Sequence, residues 1–297
     1  MPERHAVIEN VPKSMREMNF LDSSYFKEPG KSLPTPAQVR ALSKDVHLRP
    51  RPQPVIFEDS GVFVKFGPYV TTAEGQCLRM LKQAFGDELP VPEIYGWRVD
   101  EENYVFLYME IIQGQTLLDS WDELDSLEKS SLCNQLCQMI NCLRQLEQDP
   151  SDQYIGSLHH QRLYDYVFRF YPTAGPFSSV KEFNDWFSAL PQSWLPPEKK
   201  FDDPYRSWLP DSEDIKFSHG DLHRGNIMIS SDKPVRIVAI VDWGHAGWYP
   251  GYWEYCKALY TCDYEGEWRR EWVDKFLSPR FDEFLVFSEY TMAMGAV

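Results

Sequence analysis

A carboxylate and a carboxamide stand five positions apart at Asp221 and Asn226, within His219-Gly220-Asp221-Leu222-His223-Arg224-Gly225-Asn226. Gly220 and Gly225 break this stretch into a loop, and the apolar run Ile227-Met228-Ile229 leads out of it. A second apolar run, Val235-Arg236-Ile237-Val238-Ala239-Ile240-Val241, ends on Asp242. Two short strands would therefore present Asp221, Asn226 and Asp242 at neighbouring ends. A base for an acceptor hydroxyl and two oxygen ligands for magnesium are what phosphoryl transfer needs.

Two upstream residues could serve the same chemistry. Lys65 lies in the apolar run Val62-Phe63-Val64-Lys65-Phe66, which reads as a strand paired with Val55-Ile56-Phe57 through a turn at residues 58–61. Taken alone, such a lysine reads as an edge-strand residue facing water. Glu74 lies in the first turn of a helix that starts at Thr71 or Thr72 and runs to about Phe85. The helix dipole favours an acid there whatever its function. The functional alternative pairs the two, so that Glu74 holds the Lys65 ammonium over a nucleotide's phosphates.

Lys65, Glu74, Asp221, Asn226 and Asp242 follow the order used by kinase-type folds. In that mechanism Asp221 accepts the hydroxyl's proton, and Asn226 and Asp242 coordinate Mg²⁺ between the phosphates. His219 and Arg224 then brace the loop. Two other chemistries compete. The H-x-x-x-H spacing of His219 and His223 could hold zinc on a helix, but Gly220 and Gly225 argue against a continuous helix there. Asp221 and Asp242 could bind two metals in a hydrolase, a scheme with no job for Lys65 and Glu74.

The elements that must position these groups follow from the chain in order. Prolines punctuate residues 1–54, which read as irregular except for a short helix from Ala37 to Ser43. Strands are expected at residues 93–97 and 104–110, the second apolar throughout like a central strand. A turn at Gly114 then separates a β-rich lobe, residues 1–112, from a mainly helical lobe, residues 113–297. Such a boundary supplies a cleft, where backbone groups of Glu110 and Ile112 could face an adenine. Asp125 and Glu128 form a capping box for a helix whose stripe runs from Leu132 to Leu146, with Pro150 ending it. His159 and His160 read as surface histidines. Further helices are expected at about 180–190, from Tyr252 to about Thr261 with Trp253 in the core, and from about Glu267 and Asp282.

The motif His219-Gly220-Asp221-Leu222-His223-Arg224-Gly225-Asn226, followed by Ile240-Val241-Asp242-Trp243, resembles the aminoglycoside phosphotransferase family of small-molecule kinases. The resemblance covers roughly residues 35–290 and extends to Val64-Lys65-Phe66-Gly67, Ala73-Glu74, Gly114-Gln115-Thr116-Leu117, Gly175-Pro176-Phe177 and Tyr252-Trp253-Glu254, as in fungal-type members. It implies an α+β, bilobal, protein-kinase-like fold with ATP between the lobes. It also implies Lys65 and Glu74 for phosphate, Asp221 as catalytic base, and Asn226 and Asp242 for Mg²⁺. The acceptor would be a hydroxylated small molecule. Two features depart from the pattern. Residues 58–61 form a short acidic turn with one glycine instead of a glycine-rich phosphate loop, and Gly244 follows Asp242-Trp243 where an acid is common. The first departure motivates an alternative, a weak or inactive kinase-like scaffold. A protein kinase is disfavoured because the chain between Asp242 and Pro250 is too short to seat a peptide.

The 297 residues suffice for one or two domains with a sizeable core. A net charge of −15 opposes non-specific nucleic-acid binding and is compatible with a cationic ligand. The acidic, aromatic set Asp263, Tyr264, Glu265, Glu267, Trp268, Glu271 and Trp272 could receive a cationic or ring-bearing acceptor. Met1-Pro2-Glu3-Arg4-His5 lacks the apolar run of a signal peptide, and no stretch of about 18 apolar residues suggests a membrane span. Cys77, Cys133, Cys137, Cys142, Cys256 and Cys262 form no C-x-x-C pair, so a reduced, cytoplasmic compartment fits.

Overall fold

The computed structural model describes residues 4–5, 15–43, 52–171 and 174–296. The readings of Met1-Pro2-Glu3 and Pro50 lie outside the described residues. In chain order the elements are β1 (Arg4–His5), β2 (Glu17–Asn19), α1 (Pro36–Leu42), β3 (Val55–Phe57), β4 (Val62–Gly67), α2 (Thr72–Phe85), β5 (Ile94–Val99), β6 (Val105–Glu110), β7 (Gln115–Thr116), α3 (Leu117–Ser120), α4 (Ser126–Leu143), β8 (Leu146–Glu147), α5 (Val180–Ala189), β9 (Ile215–Ser218), β10 (Ile227–Ile229), β11 (Ile237–Ile240), β12 (Gly247–Pro250), α6 (Trp253–Tyr260), α7 (Val273–Phe276) and α8 (Phe281–Ala293). The fold is α+β, with a small β-rich lobe and a larger, mainly helical one.

The β-rich lobe is an antiparallel sheet in the order β2-β5-β6-β4-β3, with α2 packed on it. Strand alternation decides which side each residue faces. Val62, Val64 and Phe66 of β4 join Val55, Phe106 and Tyr108 in one apolar cluster. Lys65 therefore points the other way, towards α2. It is not on an edge, because β4 lies between β6 and β3. The β3–β4 turn is a single 3₁₀ turn, Glu58–Ser60, closed by Gly61 in the left-handed region at φ 70°.

Two expectations are corrected. Residues 1–54 are not irregular apart from α1, since β2 pairs with β5 through Glu17↔Arg98 and Asn19↔Gly96. Only Met18 of its three residues is even half-buried, so no alternating pattern marks it. Backbone pairing holds it, reinforced by Arg98 donating to Met18 O at 2.9 Å and Asn19 Oδ1 at 2.7 Å. The capped helix also stops earlier than its stripe. α4 has the full capping box at Asp125 and Glu128 but ends at Leu143. Leu146 still packs into the same core, but from the extended β8, which runs parallel to β1.

The helical lobe places two small antiparallel sheets beneath the first. One has the order β11-β10-β7, and the other pairs β12 with β9. Trp253 is fully buried among Phe183, Phe187 and Phe287, as expected for a core residue. A second apolar cluster is continuous from Leu78 and Leu81 of α2 through Leu89 and Val91 to Leu132, Ile227 and Trp243. Ile240 N–H donates to Pro90 O at 2.9 Å, so the linker after α2 is stitched to β11. Among the described residues no helix is long and apolar enough to cross a membrane, and none of the six cysteines is in a disulfide.

Candidate active site

Lys65 Nζ sits 2.7 and 2.9 Å from the two oxygens of Glu74, and 2.8 Å from Asp242 Oδ1. Strand β4, helix α2 and the end of β11 thus converge on one ammonium. The Glu74 carboxylate is 3% exposed. Burial disfavours the charged carboxyl and pushes it up, while the Lys65 charge pulls it back. Burial also disfavours the ammonium, but two carboxylates outweigh it and hold Lys65 charged. Burial pushes Asp242 up as well. The Lys65 charge and its hydrogen bond hold it down at about 2. Asp242 keeps 48% of its side chain exposed, so water screens its arm of the triad more than the Glu74 arm.

The motif loop is built by β9 on entry and β10 on exit. His219, 1% exposed, is its keystone. Its Nδ1 accepts the Asp221 backbone N–H at 3.1 Å, so its Nε2 carries the proton and donates to Val241 O at 2.9 Å. Both ring nitrogens are used, which removes His219 from any zinc site. Among the described residues no group of three or more His, Cys, Asp or Glu is placed to hold a metal ion. The bracing role expected of His219 is thus its role. Arg224 instead lies over the Trp121 ring, 5.5 Å from its centroid.

Asn226 Nδ2 donates to Asp221 O at 2.8 Å, and Asn226 O accepts from Val241 N–H at 2.9 Å. The amide is thereby oriented with Nδ2 inward, which frees Oδ1 as an oxygen ligand. The second bond ties the loop to the residue before Asp242. Asp242 itself adopts the left-handed conformation, φ 64° and ψ 62°, a strained state that asparagine and aspartate tolerate best. Gly220 is also left-handed at φ 76°, and a Cβ there would lie 2.8 Å from His245 O. The loop needs glycine at that point on both counts.

Two groups important to this geometry escaped the sequence reading. Glu254, 1% exposed on α6, accepts the backbone N–H of His219 at 2.5 Å and of Gly220 at 3.3 Å through one carboxylate oxygen. A first-turn acid on an apolar helix gives no hint of this, because the contact spans 35 residues. Asp165 and Lys257 form a pair at 2.7 Å with neither side chain exposed, and Lys257 Nζ lies 3.8 Å from the centre of the Tyr166 ring.

Glu110 closes β6. Its N–H donates to Glu93 O at 2.9 Å and its carboxylate accepts Glu93 N–H at 3.1 Å. Sheet pairing stops there, and the chain passes Ile112 before Gln115 and Thr116 pair with β10. The acidic, aromatic face expected near 263–272 is divided: Asp263, Tyr264, Glu265 and Glu271 are exposed, while its two tryptophans turn inward. Trp268 and Trp272 are buried edge-on against Trp121. Glu267 accepts from Trp121 Nε1 at 3.0 Å, Trp272 Nε1 at 2.9 Å and Lys129 Nζ at 3.0 Å, which commits its carboxylate to packing. His160 pairs with Asp152 at 2.9 Å and stacks on Tyr154 at the surface, as read.

Residues 70–289 match the model of the phosphotransferase enzyme family, called APH. The chain belongs to that family. A comparison with curated protein sequences finds no match. Similar solved structures include a thermostable mutant of aminoglycoside phosphotransferase APH(4)-Ia in apo form, at 14% identity over 79% of this chain and 77% of that one, TM-score 0.46. Others are the gentamicin–APH(2")-IIa complex, at 16% over 80% and 74% with TM-score 0.48, and ADP-bound APH(2'')-Ib, at 15% over 79% and 74% with TM-score 0.47.

Proposed function

We propose that this phosphotransferase moves the γ-phosphoryl group of ATP to a hydroxyl of a small molecule. The observation that carries the proposal is the convergence of Glu74 and Asp242 on Lys65, next to a loop that fixes Asp221 and Asn226. The nucleotide would lie between the lobes, residues 1–112 and 113–297, with its base along the backbone of Glu110 and Ile112. Lys65 would hold its phosphates, kept charged and aimed by Glu74. Asp221 would accept the acceptor hydroxyl's proton and orient its oxygen for attack. Asn226 and Asp242 fit a hard divalent cation such as Mg²⁺. Their donors are a carboxamide oxygen freed by the inward turn of Nδ2, and a half-exposed carboxylate ionised at neutral pH. When bound, the cation supplies charge neutralisation between β- and γ-phosphates.

Small-molecule acceptors suit the chain after Asp242. A 3₁₀ turn, Trp243–His245, passes directly into β12, which pairs with β9, and leaves no segment to seat a peptide. One feature favours the alternative, a weak kinase-like binding protein. Glu58 and Asp59 occupy the β3–β4 turn, where anions would repel a triphosphate. The deciding experiment is ADP release with Mg-ATP over a panel of sugars, polyols and hydroxylated amines. Acceptor-dependent release that Asp221→Asn abolishes supports the transferase. No release with any acceptor, alongside intact nucleotide binding, supports the binding protein.

A further inference from the structure

His245 has no place in the mechanism so far, yet it is fixed beside the base. It ends the 3₁₀ turn that begins at Trp243, three residues beyond Asp242. Its backbone carbonyl accepts the Tyr249 hydroxyl at 3.1 Å and abuts Gly220, where a Cβ would come within 2.8 Å of it. Its ring packs against Tyr166, centroids 5.1 Å apart. Only 19% of the side chain is exposed. Nδ1 is on the closed side, buried and without a hydrogen-bond partner. The carboxylate oxygen Asp221 Oδ2 lies 4.0 Å from it.

A buried polar atom without a partner is costly, and such atoms call for an explanation. The charges around this ring are Asp221, Asp242, and the Asp165–Lys257 pair. Asp165 and Lys257 cancel each other, and Asp242 is bonded to Lys65. Asp221 is the remaining anion, and it can only accept. A movement of about 1 Å brings Nδ1 and Oδ2 to hydrogen-bond distance. Hydrogen bonds in ligand-free active sites are often long in this way and tighten when substrate binds.

We infer that His245 is a positioning residue for the catalytic base: a neutral imidazole protonated on Nδ1, whose N–H is aimed at Asp221 Oδ2 and fixes the direction in which that carboxylate meets the acceptor hydroxyl. Burial lowers the affinity of the ring for a second proton, which agrees with a neutral form. The same tautomer leaves the Nε2 lone pair for the open side of the ring. The acceptor would therefore carry an N–H or O–H donor near its reacting hydroxyl. The inference rests on the proposed role of Asp221, but its test needs no turnover.

The test is a long-range ¹H–¹⁵N correlation spectrum of the full-length labelled chain, recorded at about pH 8, above the ordinary histidine range. His245→Gln assigns the signals. The expected result is a protonated Nδ1 and an unprotonated Nε2 in the native chain. In Asp221→Ala the signal should shift towards the Nε2–H form that free neutral histidine prefers. An Nε2–H ring in the native chain would overturn the inference, and so would a tautomer unchanged in Asp221→Ala. The same samples are titrated with Mg-ATP. Loss of nucleotide binding with the expected tautomer counts against the transferase and leaves His245 as assigned. The reverse pattern removes His245 and leaves the transferase.

Discussion

At the scale of single residues, the site depends on charges that hold one another in place. Lys65 is the clearest case. Lys65→Met strips the ammonium from Glu74, a carboxylate 3% exposed. Removing one partner of a buried pair leaves the other uncompensated, at a cost of about 3 kcal/mol. Urea denaturation should show that loss, and Glu74→Gln in the Lys65→Met background should recover part of it. A loss within 0.5 kcal/mol of zero, as on an ordinary surface (roughly that range), would mean that the pair is not the buried contact described. Asp221 and Asn226 were legible because one glycine-broken loop carries them five positions apart, and Asp242 because it ends the next apolar run. Lys65 and Glu74 were legible only as a pair, since a strand lysine and a first-turn acid each have ordinary explanations. Glu254 was not legible, because its partners are backbone N–H groups 34 and 35 residues away.

At the scale of elements, short segments are held by contacts that periodicity cannot report. Helix α6 anchors the motif loop through Glu254. Glu254→Ala leaves two loop N–H groups without their carboxylate, and a charge-assisted bond of this kind contributes about 1.5–3 kcal/mol. Stability should fall by about 2 kcal/mol, and ADP release should fall at least about tenfold because the base loses its alignment. Full activity in a folded Glu254→Ala would remove the anchor from the account. Glu267 ties the segment before α7 to α4 through Lys129 and to the turn before α4 through Trp121. Hydrogen bonds from Trp272 and Lys129, with that of Trp121, hold its carboxyl down at about 2. A depressed carboxyl stabilises the fold above its ordinary value of 4.5, and that contribution fades as pH falls towards about 2. The Glu267 side chain is 39% exposed, so the contribution is discounted to about 1 kcal/mol. Glu267→Gln should therefore be less stable than native at pH 7, with the gap closing through the acid range. A gap independent of pH would assign the loss to packing. β2 and the early end of α4 escaped the sequence because backbone pairing decides them, while side-chain pattern is all that periodicity reads.

At the scale of the whole molecule, the two-lobe α+β arrangement was readable from strand runs followed by helical stripes. The continuity of the core across both lobes was not, since it depends on which helix faces which sheet. That continuity has a consequence for binding. The triad draws on β4 and α2 from one lobe and on the end of β11 from the other, so a ligand at Lys65 should stabilise the chain as one cooperative unit. The net charge of −15 works against a polyphosphate unless a cation and Lys65 offset it locally. Nucleotide binding should therefore depend on the metal. The most direct measurement is the thermal unfolding midpoint of the native chain and of Asp242→Ala, each with ATP alone and with Mg-ATP. At a ligand concentration of 100 times Kd, binding adds about 2.7 kcal/mol, which raises the midpoint by about 4–5 °C for a chain of this size. The account predicts that rise for the native chain with Mg-ATP only, and none for Asp242→Ala. A native midpoint that does not move with Mg-ATP, or one that moves equally in Asp242→Ala, would contradict it.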